Sequence, residues 1–336
     1  MIRVFAAVFA LVWMPAAEPL RIVASVPELA AIARAVGGED VVVVALALPS
    51  DDPHRVEARP SFVVELARAD LLLSTGFELE IGWLPPLVTN ARNPRIRKDA
   101  GGHIEAATLV ASPIGIPIGP VDRSAGDVHA HGNPHVLLDP VVGLAVAEAS
   151  SSRMAELLPE AGSRFARRFA AFRMAIGVAL AGEEIAGQLD IGKLIVLNDH
   201  GRLSEFLVQQ QLDGKLGGWW GAMRPCAGMP VAADHDLYPY FARRFGLQIV
   251  TLLEPKPGVP PSARHLAYVS AKMREQGVKA LLATGYFDRK AIELVAGSSG
   301  AAIVEMAHQA GSRPGTDDYI SFVDTNVRAV AKALAP

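Results

Sequence analysis

The sequence has little cysteine, little charge and few aromatic residues. Cys226 is the single cysteine among 336 residues, so the chain cannot form an internal disulfide, and a metal site would need histidine and carboxylate ligands. Aromatic residues make up 6%, which leaves few stacking surfaces for sugars and similar solutes. Charged residues make up 20%, the formal net charge is -3, and the sequence lacks a basic cluster of the kind that binds phosphates. Nucleic acid is therefore not an expected partner.

Long hydrophobic runs are also missing, since no segment has the roughly 20 consecutive apolar residues of a membrane helix. Residues 1–17 combine Arg3, the apolar run Val4–Met14 and Pro15-Ala16-Ala17, which is typical of a secretory signal peptide, although a buried N-terminal helix is the alternative. No cysteine near the cleavage point could accept a lipid. A periplasmic protein that begins near Glu18 is predicted.

Hydrophobic residues make up 51% of the chain, which at this length is enough for two domains with large cores. Strand-like runs at 20–24, 41–48 and 71–75 alternate with helix-like segments at 28–36 and 60–69. This alternation predicts a doubly wound α/β domain with a parallel sheet. The run 41–48 is continuously apolar, as expected for a strand that is covered on both faces.

A second series of strand-like and helix-like segments follows. The predicted strands are 194–197, 229–233, 247–252, 278–283 and 301–306, with helices at 238–245 and 262–276 between them, and helical patterns at 140–157 and from 159 onward precede the series. We therefore predict two doubly wound α/β lobes with parallel sheets, joined by a long rigid helix. The predicted division is a signal peptide at 1–17, an N-terminal lobe at 18–158, a linking helix at 159–190 and a C-terminal lobe at 191–336.

Three of the nine histidines lie in positions that suit a ligand. His54 and His135 each follow a proline, which restricts the backbone and leaves the histidine little freedom to lose on binding. His235 follows a strand-like run, and ligands of doubly wound sheets bind beyond the carboxyl ends of the strands. His103, His200 and His265 are interpreted as ordinary surface or hydrogen-bonded residues.

These segments resemble a known family, the solute-binding proteins of zinc and manganese ABC importers (the ZnuA/TroA-like group). The matching segments include Asp52-Pro53-His54, Asn133-Pro134-His135 through Asp139-Pro140, His235 with Tyr240-Phe241-Ala242, Glu254–Ser262 and Asp318–Leu334. The resemblance covers nearly the whole mature chain. It implies two lobes joined by a rigid helix, a metal site in the cleft between them with His54, His135 and His235 as ligands, and delivery of the metal to an inner-membrane ABC permease.

Three neutral imidazoles favour zinc over manganese, whose sites usually include more carboxylates. Many relatives carry an aspartate just after the last strand, but Ala307 stands at that position here. Glu305, His308, Glu80 or a water molecule are the alternatives for a fourth ligand.

Four further residues near the predicted site have open roles. His129 and His131 form a short loop that either captures and transfers metal or is only solvated. Asp139 and Asp236 either orient imidazoles or cap helices. Cys226 is expected to be buried and inert.

The predicted function is high-affinity capture of a divalent metal in the periplasm and its delivery to an ABC importer. Zinc is the expected metal. The protein is expected to be a monomer and not an enzyme. One alternative is a secreted zinc-dependent hydrolase, since three histidines and an open position also describe catalytic zinc. The sequence lacks the His-Glu-x-x-His pattern of such enzymes. The other alternative is a two-lobed binder of an organic solute.

Overall fold

The structure is a computed structural model and describes residues 18–117, 129–256 and 258–335. The predicted signal peptide at 1–17 lies outside these residues. Within them, every helix is too short or too polar to cross a membrane.

The first half of the chain forms a four-stranded parallel sheet with the strand order β2-β1-β3-β4. Its elements are β1 (Leu20–Ala24), α1 (Pro27–Gly37), β2 (Val41–Ala45), α2 (Pro60–Arg68), β3 (Leu71–Ser74), α3 (Leu84–Ala91) and β4 (His103–Glu105). Each of the three helices has a proline in its first turn, where a missing N–H costs nothing.

Six helices of the described residues lie between this sheet and a second one. They are α4 (Pro140–Leu157), α5 (Gly162–Ala181), α6 (Glu183–Ala186), α7 (Ile191–Asp199) and α8 (Leu203–Gln209), and α9 (Gly218–Met223) follows directly before the second sheet. Helix α5 packs against α1 and α4 on the side of the first sheet and against α9 on the other. It therefore joins the two halves.

The second sheet repeats the topology of the first, with the order β6-β5-β7-β8 and parallel pairing throughout. Its elements are β5 (Pro230–Ala233), α10 (Pro239–Phe245), β6 (Gln248–Leu252), α11 (Ala263–Glu275), β7 (Ala280–Ala283), α12 (Arg289–Ser299) and β8 (Ala302–Glu305), followed by α13 (Tyr319–Leu334). The predicted fold class, two α/β lobes with parallel sheets joined by a long helix, is confirmed.

Helix α13 returns from the second sheet, and its first residue, Tyr319, packs closely against α4. A Cβ atom at Gly143 would lie 2.2 Å from the ring of Tyr319, so a side chain there cannot be accommodated without a shift. The Tyr319 hydroxyl donates a hydrogen bond to the Leu137 carbonyl oxygen at 2.8 Å. One buried apolar cluster includes residues of both halves, from Leu20 to Leu334, so the lobes share a continuous core.

Two segment predictions are wrong. Residues 194–197 belong to helix α7, whose first turn is capped by the Asp190 side chain, because a short apolar run does not distinguish a strand from a buried helix. The helix predicted from Pro159 onward is regular only over α5 and ends at Gly182, which has a positive φ of 84°.

Strand β2 also differs from its prediction. It pairs only with β1 and lies at the edge of the sheet, and Val42 is 46% exposed, so it is not covered on both faces. β-branched residues suit an edge strand as well as a central one, and the sequence pattern does not separate the two cases. Strand β4 has three residues and was not predicted, because so short a strand carries almost no periodicity.

Candidate metal centre

His54 lies in the loop that follows β2, and its own neighbours hold it. The Asp52 carboxylate accepts hydrogen bonds from the His54 backbone N–H at 3.0 Å and from its ring Nδ1 at 2.9 Å. The carbonyl oxygen of Pro53 accepts a hydrogen bond from the Trp83 indole at 3.0 Å. The Nε2 atom of His54 is buried and has no hydrogen-bond partner in the described part of the chain, so it is the nitrogen available to a ligand.

His135 is positioned by Asn133, the first residue of its motif. The Asn133 side chain accepts a hydrogen bond from the His135 N–H at 3.0 Å and donates one to the carbonyl oxygen of Asp236 at 2.6 Å. The Tyr240 hydroxyl donates to the Asn133 carbonyl oxygen at 3.1 Å. Asn133 therefore ties the loop of His135 to the segment that carries His235.

His235 lies two residues beyond β5, at the carboxyl end of the second sheet. Its backbone N–H donates to the Asp234 carboxylate at 2.7 Å, and its ring Nδ1 is hydrogen-bonded to the Glu254 carboxylate. Glu254 is held in turn by the backbone N–H of Gly258 at 2.8 Å. A carboxylate on one ring nitrogen fixes the tautomer and directs the other nitrogen toward a metal.

The three imidazoles meet between the carboxyl ends of the two sheets. The ring centroids lie 5.1 Å apart for His54 and His135, 5.7 Å for His54 and His235, and 5.4 Å for His135 and His235. One nitrogen from each ring lies within 4.8 Å of the other two. Small side-chain adjustments would bring all three within bonding distance of one ion.

The surroundings of the imidazoles change their protonation in different directions. Burial raises the pKa of Asp52, but hydrogen bonds from His54 outweigh it and hold that pKa below its ordinary value, so Asp52 is ionised and accepts the proton on Nδ1. Burial, together with the charges of neighbouring histidines, holds the pKa of His135 well below its ordinary value. Burial lowers the pKa of His235, but Glu254 raises it above the ordinary value on balance.

Two of the carboxylates considered for the fourth position are engaged elsewhere. Glu305 has a side chain that is 44% exposed and forms ion pairs with Arg289 and Arg313 at 2.5 and 2.6 Å. Glu80 is buried and accepts hydrogen bonds from the Ser25 hydroxyl at 2.7 Å and the Thr75 N–H at 2.7 Å.

His308 is buried against Tyr286, with the ring centroids 4.8 Å apart. Its Nε2 atom has no hydrogen-bond partner within the described ranges. It shares a small cavity of about 30 Å³ with His135 and Glu28. Among the described residues, the group of ligand atoms that lie within 4.8 Å of one another comprises only His54, His135 and His235. His308, Glu305 and Glu80 are outside it.

The Glu28 carboxyl is expected to make stability depend on pH. Burial raises its pKa from 4.5 to about 8, so the folded protein retains a proton that the unfolded chain releases near pH 4.5, and stability decreases as the pH rises from about 4.5 to about 8. We expect Glu28→Gln to remove this decrease, which amounts to a few kcal/mol at about 1.4 kcal/mol for each pKa unit. Urea unfolding of the metal-free proteins at about pH 5 and about pH 9 measures it. An unchanged pH dependence in the variant would contradict the assignment.

The two histidines of the loop lie in different surroundings. The ring of His129 is 5.4 Å from that of His54, whereas His131 is exposed and borders a separate cavity beside His103. The three histidines interpreted as ordinary have protein partners. These are the Ser74 hydroxyl for His103, the Val196 carbonyl for His200 and the Leu252 carbonyl for His265.

The carboxylates that orient the imidazoles are Asp52 and Glu254, not the two suggested by the sequence. Asp139 caps helix α4 through the Val141 N–H at 3.0 Å and pairs with Arg244, and the Asp236 carboxylate accepts from Asn133. Asp52 could have been recognised from its place two residues before His54. For Glu254, the only indication in the sequence was its position just after a predicted strand. Cys226 is buried, as expected.

The site opens to solvent on one side. A cavity of about 410 Å³ borders His54 and His235 together with Asp52 and Glu254, and Tyr286 and Phe287 also line it. An ion can therefore approach the imidazoles past ionisable side chains.

Comparisons with known proteins agree with this architecture. The family model "Zinc-uptake complex component A periplasmic" (ZnuA) matches residues 22–181 and 211–333. A crystal structure of ZnuA has 20% sequence identity and a TM-score of 0.68, with 95% of this chain and 100% of that chain covered. The periplasmic zinc-binding protein TroA from Treponema pallidum has 18% identity and a TM-score of 0.66, with the same coverage.

A further similar structure is the manganese-bound periplasmic metal-binding protein from Candidatus Liberibacter asiaticus. It shares 14% sequence identity with this chain and has a TM-score of 0.64, and the alignment covers 94% of this chain and 100% of that one. The shared fold thus occurs both in a protein named as zinc-binding and in one with bound manganese, so the fold alone does not identify the ion.

Proposed function

Because the chain belongs to the family of the periplasmic zinc-uptake component ZnuA, we propose that it captures a divalent transition metal in the periplasm and delivers it to an ABC-type importer in the inner membrane. The metal is zinc, and His54, His135 and His235 are its ligands. The protein acts as a monomer, with the signal peptide at 1–17 directing its export.

The observation that carries the proposal is the convergence of three imidazole nitrogens, all within 4.8 Å of one another, from three distant parts of the chain. Imidazole nitrogen is a preferred ligand of zinc, with bonds of about 2.0–2.1 Å. A manganese site usually contains more oxygen ligands. The described site presents imidazole edges, with Asp52 and Glu254 behind two of them, and this arrangement supports zinc.

Each part of the site has a role in capture. Asp52 and Glu254 hold protons on the Nδ1 atoms of His54 and His235, so that Nε2 is the nitrogen of each ring that would bind the ion. Burial keeps His135 neutral. Because the three rings are held before the ion arrives, binding costs little side-chain entropy.

Release is expected to involve small shifts of the lobes and loops. Helix α5 packs against both halves and the lobes share a continuous core, and packed interfaces of this kind slide rather than open widely. A slight separation of the His54 and His235 segments would be enough to remove a ligand from the ion.

Titration of the chelator-stripped mature protein with zinc and with manganese tests the choice of metal. We expect one zinc ion per chain and an affinity for zinc at least about tenfold higher than for manganese, in agreement with the general order of divalent-metal affinities. Comparable affinities for the two ions would contradict the assignment to zinc.

Growth of the source organism under zinc chelation tests delivery. A strain without this protein is expected to require added zinc, and the intact gene, but not one with all three histidines replaced by alanine, should restore growth. Normal zinc uptake in the deletion strain, with no second importer active, would contradict delivery.

Neither alternative function is supported by these observations. The family is one of transport components rather than of enzymes, and the sequence lacks the His-Glu-x-x-His pattern of zinc hydrolases. The organic-solute alternative leaves the three convergent imidazoles without a role.

A further inference from the structure

The ring of His129 lies beside the candidate metal centre. Its ring centroid is 5.4 Å from that of His54. This separation falls within the range of 5.1 to 5.7 Å that the rings of His54, His135 and His235 show among themselves. The residue thus belongs to the same cluster of rings, although its nitrogens are not within the 4.8 Å group formed by the other three.

The backbone beside His129 is held in place by Glu78. The Glu78 carboxylate accepts a hydrogen bond from the N–H of Ala130, the next residue after His129, at 2.9 Å. The two residues are 52 positions apart in sequence, so the contact connects the loop to the first lobe. A backbone contact one residue away limits where the His129 side chain can reach.

The segment that carries Glu78 has an uncommon conformation. Gly76, Phe77 and Glu78 have successive positive φ angles of 84°, 48° and 67°, a region that costs about 1–2 kcal/mol for a residue with a side chain. Such a conformation persists only when the surroundings enforce it. Glu80 supplies that constraint, because its buried carboxylate accepts hydrogen bonds from the Thr75 N–H and the Gly76 N–H at 2.7 and 3.2 Å.

Several of the other candidates for a fourth metal ligand are absent or engaged elsewhere. Ala307, just after the last strand, has no ligand atom in its side chain, Glu305 is paired with two arginines, and Glu80 is held in the turn by hydrogen bonds. Zinc sites that hold rather than transform their ion usually have four protein ligands. His129, whose ring centroid is 5.4 Å from that of His54, can supply one.

We propose that His129 supplies a fourth imidazole to the metal bound by His54, His135 and His235, and that Glu78 positions it through Ala130. This inference rests on the proposed function. Rotation about the side-chain bonds of His129 brings its ring to the ion. A set of four nitrogen ligands selects zinc more strongly against manganese than three nitrogens and a water molecule would.

Zinc and manganese affinities of His129→Ala, measured by chelator competition, test the ligand. We expect zinc affinity to fall by about 10- to 100-fold, less than for a core ligand because water can take the vacant position. Manganese affinity should change by less than about threefold, since manganese readily accepts water as a ligand. His131→Ala is the matched control, because it alters the same loop at an exposed residue.

X-ray absorption of the zinc-loaded proteins provides an independent readout. The wild type should show four imidazole nitrogens around zinc, and His129→Ala should show three and an oxygen. If the wild type binds zinc tightly but His129→Ala has the same affinity and the same spectrum, the inference is wrong and the proposed function stands. If the wild type itself fails to bind zinc, the proposed function is wrong.

The test of Glu78 must distinguish positioning of His129 from a general effect on the stability of the protein. Glu78→Gln keeps an oxygen acceptor and should retain most of the zinc affinity, whereas Glu78→Ala should lose part of it. In the double variant with His129→Ala, removing Glu78 should cause no further loss, since the two residues act through one contact. Additive losses would contradict the positioning role, and thermal unfolding of the metal-free variants shows whether each is folded.

Discussion

Replacing His54, His135 or His235 individually with alanine is expected to lower the affinity for zinc by at least about 100-fold. Loss of an outer partner of a metal ligand alone typically costs about 10- to 100-fold, and loss of the ligand itself removes a bond to the ion. The three nitrogens converge within 4.8 Å, so no single ring is peripheral. Calorimetric titration of the stripped variants measures the change.

The matched control for these variants is His200→Ala. His200 is exposed, and its ring is hydrogen-bonded to a carbonyl oxygen of its own helix at 2.7 Å, so this change removes an imidazole without altering the site. Its zinc affinity should equal that of the wild type. A variant at any of the three positions that binds zinc as the wild type does would exclude that residue as a ligand.

Arg244→Met is expected to lower the free energy of unfolding by about 3–5 kcal/mol, the usual effect of leaving a buried charge without its partner. The Arg244 guanidinium donates to both Asp139 oxygens at 2.8 and 3.0 Å and also contacts Asp199. The side chains of Arg244 and Asp139 are 4% and 1% exposed. Urea unfolding of the metal-free protein measures the loss.

The position of this ion pair explains why its loss matters. Arg244 is on α10 of the second lobe, and Asp139 caps α4 through the Val141 N–H, so the pair connects α10 to the start of α4. Asp139→Asn in the Arg244→Met background should recover part of the stability, because it removes the unpaired carboxylate while retaining a residue that can cap a helix.

An exposed ion pair provides the comparison. Arg328 and Asp324 lie four residues apart on α13, with side chains that are 76% and 32% exposed, and surface pairs of this kind contribute about 0–1 kcal/mol. Arg328→Met should therefore have little effect. If Arg244→Met costs no more than Arg328→Met, the buried pair does not stabilise the connection between the lobes.

Local sequence was sufficient to predict structure where a few neighbouring residues determine the backbone conformation. Pro53 and Pro134 indicated stiff loops, and the structure places the histidines that follow them, together with His235, in one cluster. Prolines also marked the first turns of α1, α2 and α3. The strand prediction for residues 194–197 was wrong because four apolar residues suit a buried helix equally well, and the Asp190 cap that starts α7 has no unique pattern.

The role of Glu254 illustrates what the sequence could not provide. It lies 19 residues from His235, and the two meet because β5 and β6 pair in parallel, with Ala233 opposite Leu252. Strand register depends on the packing of the whole lobe. The contact between Glu78 and Ala130 likewise depends on a turn with three positive φ angles, two of them at residues whose identity does not predict that conformation.

The sequence by itself therefore determined the α/β class, the two series of strands and helices and the three histidines at their junctions, because periodicity, proline and short motifs act over a few residues. Only the tertiary structure decided which carboxylate orients each imidazole, that Glu305 and Glu80 are engaged elsewhere, and that His129 lies beside His54. These outcomes depend on contacts between residues tens to hundreds of positions apart, whose geometry is set by how helices and sheets pack together.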